Sequence, residues 1–277
     1  MAELSAIFAA LDYIETHLQQ DVTIADVAEA ASYSLFHFCR AFNRAMRHTP
    51  YDYLMRRRLS EAARELVETD RKVIDVALDY GFKNPETFSR AFKRMFGVQP
   101  VQWRRQGELD RRRLLPRPTR AYVEYIAAGD VPGPVVEPRQ AVHLAGLMTL
   151  VRGDDAVTES LWELLEEHLA GAPGLRYGVT WYPPAWERRG RFYMAGVAID
   201  PTVDAGPALA LRLLPAGDYA RLPHYGPRDT LQLARDYLYQ TWLPQSGVCL
   251  AQPIEVECFG SGSYGPDSAI ALLLLVE

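Results

Sequence analysis

Through the first hundred positions the apolar residues return every three or four places, the spacing of amphipathic helices. Leu4, Phe8, Leu11, Ile14 and Leu18 form one stripe of a helix predicted over 5–19. Thr23, followed by Asp26, signals the start of a short helix ending near Ala30. Ser34 opens a third helix to about Arg47, and Thr49-Pro50 opens a long one to about Glu68. A short helix is predicted over 70–80, Asn84-Pro85 starts another that ends at Phe96, and Pro100 starts a last one to Arg105. Proline suits a first helical position because the N–H it lacks has no acceptor there. Beyond residue 120 the period falls to two. Segments 122–127, 142–150, 175–181, 192–199, 208–213, 220–224, 254–259 and 269–276 read as strands, with helices over 159–170 and 228–243.

These elements predict a multidomain chain with an all-α front and an α+β back. The basic, proline-rich stretch RRRLLPRPTR at 111–120 reads as a linker between domains at 1–110 and 121–277. The back half carries a weak internal echo: a strand, a glycine (Gly153, Gly226), a helix, then two strands. Two pseudo-repeated strand-helix-strand-strand halves follow from it.

The front half repeats more clearly. Phe38/Phe88, Arg40/Arg90, Ala41/Ala91, Phe42/Phe92, Arg44/Arg94 and Pro50/Pro100 are each 50 positions apart, and Ser32-Tyr33 precedes Gly81-Phe82 by 49. The unit is a short helix, a tight turn and a second helix, present twice. In each second helix Phe38, Ala41, Phe42, Ala45 or Phe88, Ala91, Phe92, Met95 make the buried stripe. The opposite face presents Phe36, Arg40, Asn43 and Arg47 in one copy, and Glu86, Ser89, Arg90 and Lys93 in the other. A helix-turn-helix sets its second helix in the major groove of double-stranded DNA, where Arg pairs with guanine and apolar side chains meet thymine methyls. The 19 or so residues between the copies span roughly 28 Å as a helix, close to the ~34 Å between successive major-groove faces.

The stretches SYSLFHFCRAF (32–42), ALDYGF (77–82) and FSRAFK (88–93), continuing through Phe96-Gly97 to Pro100, resemble the DNA-binding domain of the AraC/XylS regulators over residues 1–107. The resemblance implies that Leu35, Phe36, Cys39 and Arg40 face the groove in the first unit, and Glu86, Ser89 and Arg90 in the second. Ser32 departs from the glycine common in the first turn.

The net charge of −5 changes meaning when divided. Residues 1–120 hold 20 Lys and Arg against 16 Asp and Glu, a net of +4; the rest hold 10 against 19, a net of −9. One part is suited to phosphates and the other is not. Three cysteines with no CxxC pair (Cys39, Cys249, Cys258) argue against a disulfide framework or a zinc site. No apolar run reaches the ~20 residues of a membrane span, and no secretory signal precedes the first helix, so a cytoplasmic location is expected.

Residues 121–277 contain no HExxH, GxSxG or phosphate-binding glycine loop, and His143, His168 and His224 are scattered. Neither an enzyme, a metal nor a cofactor is therefore expected. Aromatic residues are dense instead: Tyr177, Trp181, Tyr182, Trp186, Phe192, Tyr193, Tyr219, Tyr225, Tyr237, Tyr239 and Trp242. Such a set suits an apolar cleft for flat or cationic ligands. The stretches PAGDYA (215–220), HYGP (224–227), WLPQSG (242–247) and IEVECF (254–259) resemble the GyrI-like effector-binding domain. That resemblance implies Glu257 as a cleft carboxylate, with Trp181, Tyr182, Phe192 and Tyr225 as its walls. A small cationic or amphipathic effector is the expected ligand, and RNA polymerase is expected as a further partner. Two alternatives stay open: a protein-interaction module, and a hydrolase pairing Glu257 with a tyrosine such as Tyr182.

Overall fold

Local sequence sets the helix boundaries of the front half. The computed structural model describes residues 2–107, 109–129, 131–153, 156–169, 174–184, 189–202, 205–225, 228–260 and 269–277. Trp186, Gly226 and Ala170 lie outside the described residues. The chain divides into two units, Met1–Val131 with Tyr239–Pro244, and Pro132–Leu238 with Gln245–Glu277.

The first unit contains α1 (Ala2–Thr16), α2 (Ile24–Ala30), α3 (Leu35–Met46), α4 (Pro50–Glu68), α5 (Val73–Asp79), α6 (Pro85–Phe96) and α7 (Pro100–Gln106). Thr23 and Asp26 close a reciprocal capping box at the start of α2, and Asn84 Oδ1 accepts from the Thr87 amide at the start of α6. The turns between α2 and α3 and between α5 and α6 are the same backbone bend. Ser32 (φ 58°) and Gly81 (φ 77°) both occupy the left-handed region, so the first copy tolerates the missing glycine at a conformational cost.

Two cores form, and α4 belongs to both. Its first half gives Tyr53 and Leu54 to a cluster with Ile7, Ile14, Val27, Phe38 and Phe42. Its second half gives Leu59, Ala62, Ala63 and Leu66 to a cluster with Val76, Phe82, Phe88, Phe92 and Trp103. In α1 the buried stripe is Ile7, Ala10, Leu11 and Ile14, with Leu18 buried in the turn that follows, whereas Leu4 and Phe8 only flank it. The predicted stripe is thus rotated by part of a turn.

Two arginines in the middle of α4 hold the cores together. Buried Arg57 meets both oxygens of Glu15 at 2.7 Å, Glu61 at 2.9 Å and the Leu115 carbonyl at 2.5 Å. Burial would depress its pKa, but Glu15 and Glu61 override this and hold it above the ordinary value. Arg58 donates to the Leu18 carbonyl at 2.9 Å and the Gln20 carbonyl at 2.5 Å. The same guanidinium lies against Gly81, where a Cβ would come within 2.7 Å of Nη1. Only glycine meets both demands of that turn, the positive φ and the close approach.

The predicted linker and the strand after it are corrected by the structure. Arg111–Arg113 form a 3₁₀ turn, Leu114 is buried in the second cluster and Leu115 in the first. Residues 122–127 are helical, within α8 (Arg120–Ala127), which Thr119 caps at the Tyr122 amide. Tyr122, Val123 and Ile126 make its buried face, a helical spacing that imitates alternation over so few residues. The chain accordingly parts after Val131 and not at residue 120.

The second unit holds β1 (Val135–Arg139), β2 (Val142–Val151), α9 (Ala156–Leu169), β3 (Arg176–Trp181), β4 (Arg191–Ala198), β5 (Ala210–Leu214) and β6 (Gly217–His224). After a 3₁₀ turn at Arg228–Thr230 come α10 (Leu231–Asp236), a π-helical stretch (Tyr237–Trp242) and α11 (Leu243–Ser246), of which Tyr239–Pro244 belong to the first unit, and then β7 (Leu250–Phe259) and β8 (Ile270–Val276). The helix predicted over 228–243 is helical throughout and runs on to Ser246, but its winding changes from 3₁₀ to α to π and back to α. The repeated unit is strand-strand-helix-strand-strand, one strand longer than the predicted echo: β5 falls on the predicted strand 208–213, whereas β1 was not predicted. β1 escaped notice because Pro138 interrupts it, as befits the edge strand it proves to be.

All eight strands form one antiparallel sheet in the order β1-β6-β8-β7-β3-β4-β2-β5. Exchanging the two halves reverses this order onto itself, so a pseudo-twofold axis runs between β3 and β7. Only two residues connect β1 to β2, and two connect β5 to β6. These span at most about 11 Å, while six flat strand spacings measure about 29 Å. The sheet must therefore curl until its ends approach. Its helix-free face turns inward, carrying Leu144, Tyr177, Val179, Met194, Tyr219, Val256 and Leu273. The outer face meets α9 on β2 and β4, and α10 on β6.

Two exposed recognition faces and a buried carboxylate pair

On α3, burial of Phe38, Ala41, Phe42, Ala45 and Met46 leaves Leu35, Phe36, Arg40 and Asn43 exposed, with Phe36 showing 74% of its surface. A phenylalanine so exposed gains nothing from the fold that places it. The Arg40 guanidinium rests over the Phe36 ring at 5.7 Å, joining one cation and one apolar surface a helical turn apart. Cys39 is only half-buried and packs against the first core, so it flanks this face. On α6 the exposed residues are Glu86, Arg90 and Lys93, with Ser89 half-buried. Both helices are phenylalanine-packed inside; outside, α6 is polar, whereas α3 sets Arg40 and Asn43 beside the apolar Leu35 and Phe36.

In the second unit, strand alternation sets the chemistry. Glu255 and Glu257 lie two apart on β7 and point to the outer face, beneath the helices. Glu257 pairs in register with Gly178 of β3, and Glu255 with Thr180, which stands opposite Tyr193 of β4. Both carboxylates are buried, at 1% and 6% exposure. Charge at such depth needs partners.

Arg235 of α10 supplies the counter-charge. Its Nε donates to Glu255 Oε1, its Nη2 donates to Glu257 Oε1 at 2.8 Å, and its Nη1 donates to Gln232 at 2.8 Å. Two tyrosines take the remaining carboxylate oxygens. Tyr193 donates to Glu257 Oε2 at 3.1 Å, and Tyr182 to Glu255 Oε2 at 3.4 Å. Trp162 of α9 donates in turn to the Tyr193 oxygen at 2.9 Å, fixing the direction of that chain. Burial pushes the Tyr193 phenol well above its ordinary range, with Glu257 adding to it, so it stays a proton donor. Burial also raises Glu257, although Arg235 pulls the other way. For Arg235 the order reverses: burial would lower it, and the two glutamates carry it above the ordinary value. Arg228 lies over the Phe259 ring at 5.7 Å and adds positive potential at Glu257.

Gly178 makes room for this arrangement. A Cβ there would fall 2.4 Å from the Tyr193 hydroxyl and 2.7 Å from Glu257 Oε2. Gly178→Ala should push the pair apart and destabilise the second unit by about 1–3 kcal/mol, as overpacking does. Thermal unfolding beside the parent measures this, and an unchanged melting point would mean the cluster has slack.

The predicted effector residues are only partly brought together. Glu257 is central, and Tyr182 touches its neighbour Glu255. Trp181 and Phe192 are register partners on the opposite, inward face, because each sits one residue from a member of the cluster. Tyr225 is 81% exposed and does not wall the carboxylate. The expected open anionic trap is instead a pair already holding a guanidinium. Glu255, Trp162, Gly178 and Arg235 were missed, and Tyr193 was named only within the aromatic set. Of the four missed, only Glu255 left a sequence signal, its two-residue spacing from Glu257.

Comparison with known proteins fits both units. Residues 27–106 match the helix-turn-helix domain family, and residues 136–271 match the GyrI-like small molecule binding domain family. A stretch of 92 residues is 38% identical to regulatory protein SoxS of Escherichia coli K12 and covers 86% of it. The right origin-binding protein of the same organism is 40% identical over 98 residues, and the uncharacterized HTH-type transcriptional regulator YbfP of Bacillus subtilis is 36% identical over 99. These stretches span about a third of each of the last two proteins, 34% in both cases, and 35% and 36% of this chain. The helix-turn-helix pair and the curled two-half sheet are the two domains these matches describe, the first of them shared with transcription regulators. The chain belongs to the AraC-type family of such regulators. No helix among the described residues is long and apolar enough to cross a membrane. Among the same residues, no group of three or more His, Cys, Asp or Glu could hold a metal ion.

Proposed function

We propose that the protein is an effector-responsive regulator. The exposed faces of α3 and α6 read DNA through Leu35, Phe36, Arg40, Asn43, Glu86, Arg90 and Lys93, flanked by Cys39 and Ser89. A small cationic or amphipathic molecule bound at Glu257 alters that reading or the contact with RNA polymerase. The observation that carries the effector claim is the buried carboxylate pair bridged by the guanidinium of Arg235, a side chain on a short helix. A fold gains little from such a pair by itself, since desolvation offsets most of the attraction. The pair is therefore better explained by what it can exchange.

A melting-temperature screen against cationic and neutral amphiphiles tests this. A ligand at 100 times its dissociation constant adds about 2.7 kcal/mol, a rise of several degrees. The rise should be confined to cations and be lost in Glu257→Gln. Equal shifts in the parent and Glu257→Gln would remove Glu257 from the site.

Acidity supplies a second check. Glu257 binds its proton more tightly in the folded chain than at the ordinary value of 4.5. Its contribution to stability is therefore present below 4.5 and lost as pH rises through the elevated value. A bound cation favours the ionised carboxylate, so binding should release a proton and strengthen with pH across the same window. Calorimetry in buffers of different ionisation heat would read the released proton; buffer-independent heats would contradict it.

A further inference from the structure

Resting on that reading, the geometry points to the chemical class of the effector: a planar cation with at least two adjacent N–H donors, a guanidine or an amidine, that takes the place of Arg235 between Glu255 and Glu257. The two carboxylates do not present a diffuse negative field. Each has one oxygen committed to a tyrosine hydroxyl, Glu257 to Tyr193 and Glu255 to Tyr182. Each turns its other oxygen to the same guanidinium, from Nε on one side and Nη2 on the other. What Arg235 would leave on withdrawing is two acceptors at the spacing of two N–H groups on one flat cation. A carboxylate oxygen pair so fixed favours directional, charge-assisted donors. A quaternary ammonium has charge but no N–H, and would leave both oxygens buried without a hydrogen bond.

The acceptors cannot easily rearrange to suit another shape. The Trp162 to Tyr193 to Glu257 chain fixes one carboxylate, and the absent side chain at Gly178 lets it close to contact distance. Arg235 is less enclosed than either carboxylate. Its side chain is one-fifth exposed and rises from α10, six residues long, directly before the π-helical stretch. An incoming amidine with an aromatic body would displace a like cation for a like cation and keep every carboxylate bond. Arg235 thus acts as a tethered competitor, which lowers the affinity of the resting protein for its effector.

Benzamidine and benzyltrimethylammonium, similar in size and charge, test the class by calorimetric titration of the full chain. Benzamidine should bind the parent at least tenfold tighter than the trimethylammonium compound. Arg235→Ala, which opens a guanidinium-sized space, should bind benzamidine at least tenfold tighter than the parent and regain melting temperature on its addition. Arg235→Gln keeps N–H donors without charge and serves the same comparison if the alanine variant does not fold. Glu257→Gln should lose the benzamidine response. If benzyltrimethylammonium binds as tightly as benzamidine with the same dependence on Glu257, the planar-donor class is overturned while the effector function stands. If Arg235 variants bind benzamidine no tighter than the parent, displacement of Arg235 is overturned. If neither cation binds the parent or either Arg235 variant, the effector reading falls together with this one.

Discussion

Arg57→Met lowers the stability of the first unit by about 3–5 kcal/mol, the effect expected when one partner of a buried ion pair is removed. The methionine fills most of the volume, so packing is nearly kept. What is lost is the partner of Glu15, whose side chain is only 8% exposed, and the donor to the Leu115 carbonyl. Glu15 retains the Tyr53 hydroxyl at 2.9 Å, which partly solvates its charge. Leu115 sits in the first core and its amide donates to Ser60 at 2.9 Å, so the segment after α7 should loosen with it. Denaturant unfolding followed by the helical circular-dichroism signal measures the loss. Arg57→Met combined with Glu15→Leu should recover at least half of it, because two matched apolar groups leave no charge stranded. A single mutant as stable as the parent would show that α4 does not depend on this pair to join its two cores.

Removing both Arg40 and Arg90 should cost about 2–6 kcal/mol of sequence-specific DNA affinity, the sum of ~1–3 kcal/mol for each lost guanine contact. The two costs should add, since the residues lie on separate helices at either end of α4 and share no partner. Both side chains are exposed, so neither substitution should disturb the fold. Fluorescence anisotropy at one fixed salt concentration, on a duplex selected from a random pool with the parent protein, reads the affinity. Arg40→Ala should also free the Phe36 ring of its cation, so preference at the position read by Phe36 should relax along with that read by Arg40. Parental affinity in both single mutants would overturn the assignment of α3 and α6 as reading helices. A loss equal on all sequences would recast the arginines as phosphate contacts.

The sequence alone determined the front half almost to its caps. Helical periodicity, capping residues at Thr23 and Asn84, and a repeat at 50 positions are local signals, and each is decided within a few residues of itself. The repeat even located the outward faces, because burying Phe38, Ala41 and Phe42 on one side of a helix leaves Phe36, Arg40 and Asn43 on the other. In the back half most strands and the two-half symmetry were legible, since alternation too is local. It misread 122–127, where six residues are too few to separate a period of two from one of 3.6. It missed β1, whose proline hides an edge strand.

Tertiary structure alone decided the carboxylate site. Glu257, Gly178, Tyr193, Arg235 and Trp162 lie on β7, β3, β4, α10 and α9, and no sequence spacing relates them. Strand register puts Glu257 beside Gly178 and sets Tyr193 diagonally across on β4, opposite Thr180, and the parity of the strands sends Trp181 and Phe192 to the other face while keeping Tyr193. The curl of the sheet, forced by two connections of two residues each, then sets one face inward and leaves the other for the helices. Whether a buried glutamate is an open trap or already holds an arginine depends on which helix crosses above it. That is a long-range packing outcome, with no trace in the local pattern of hydrophobic and polar residues.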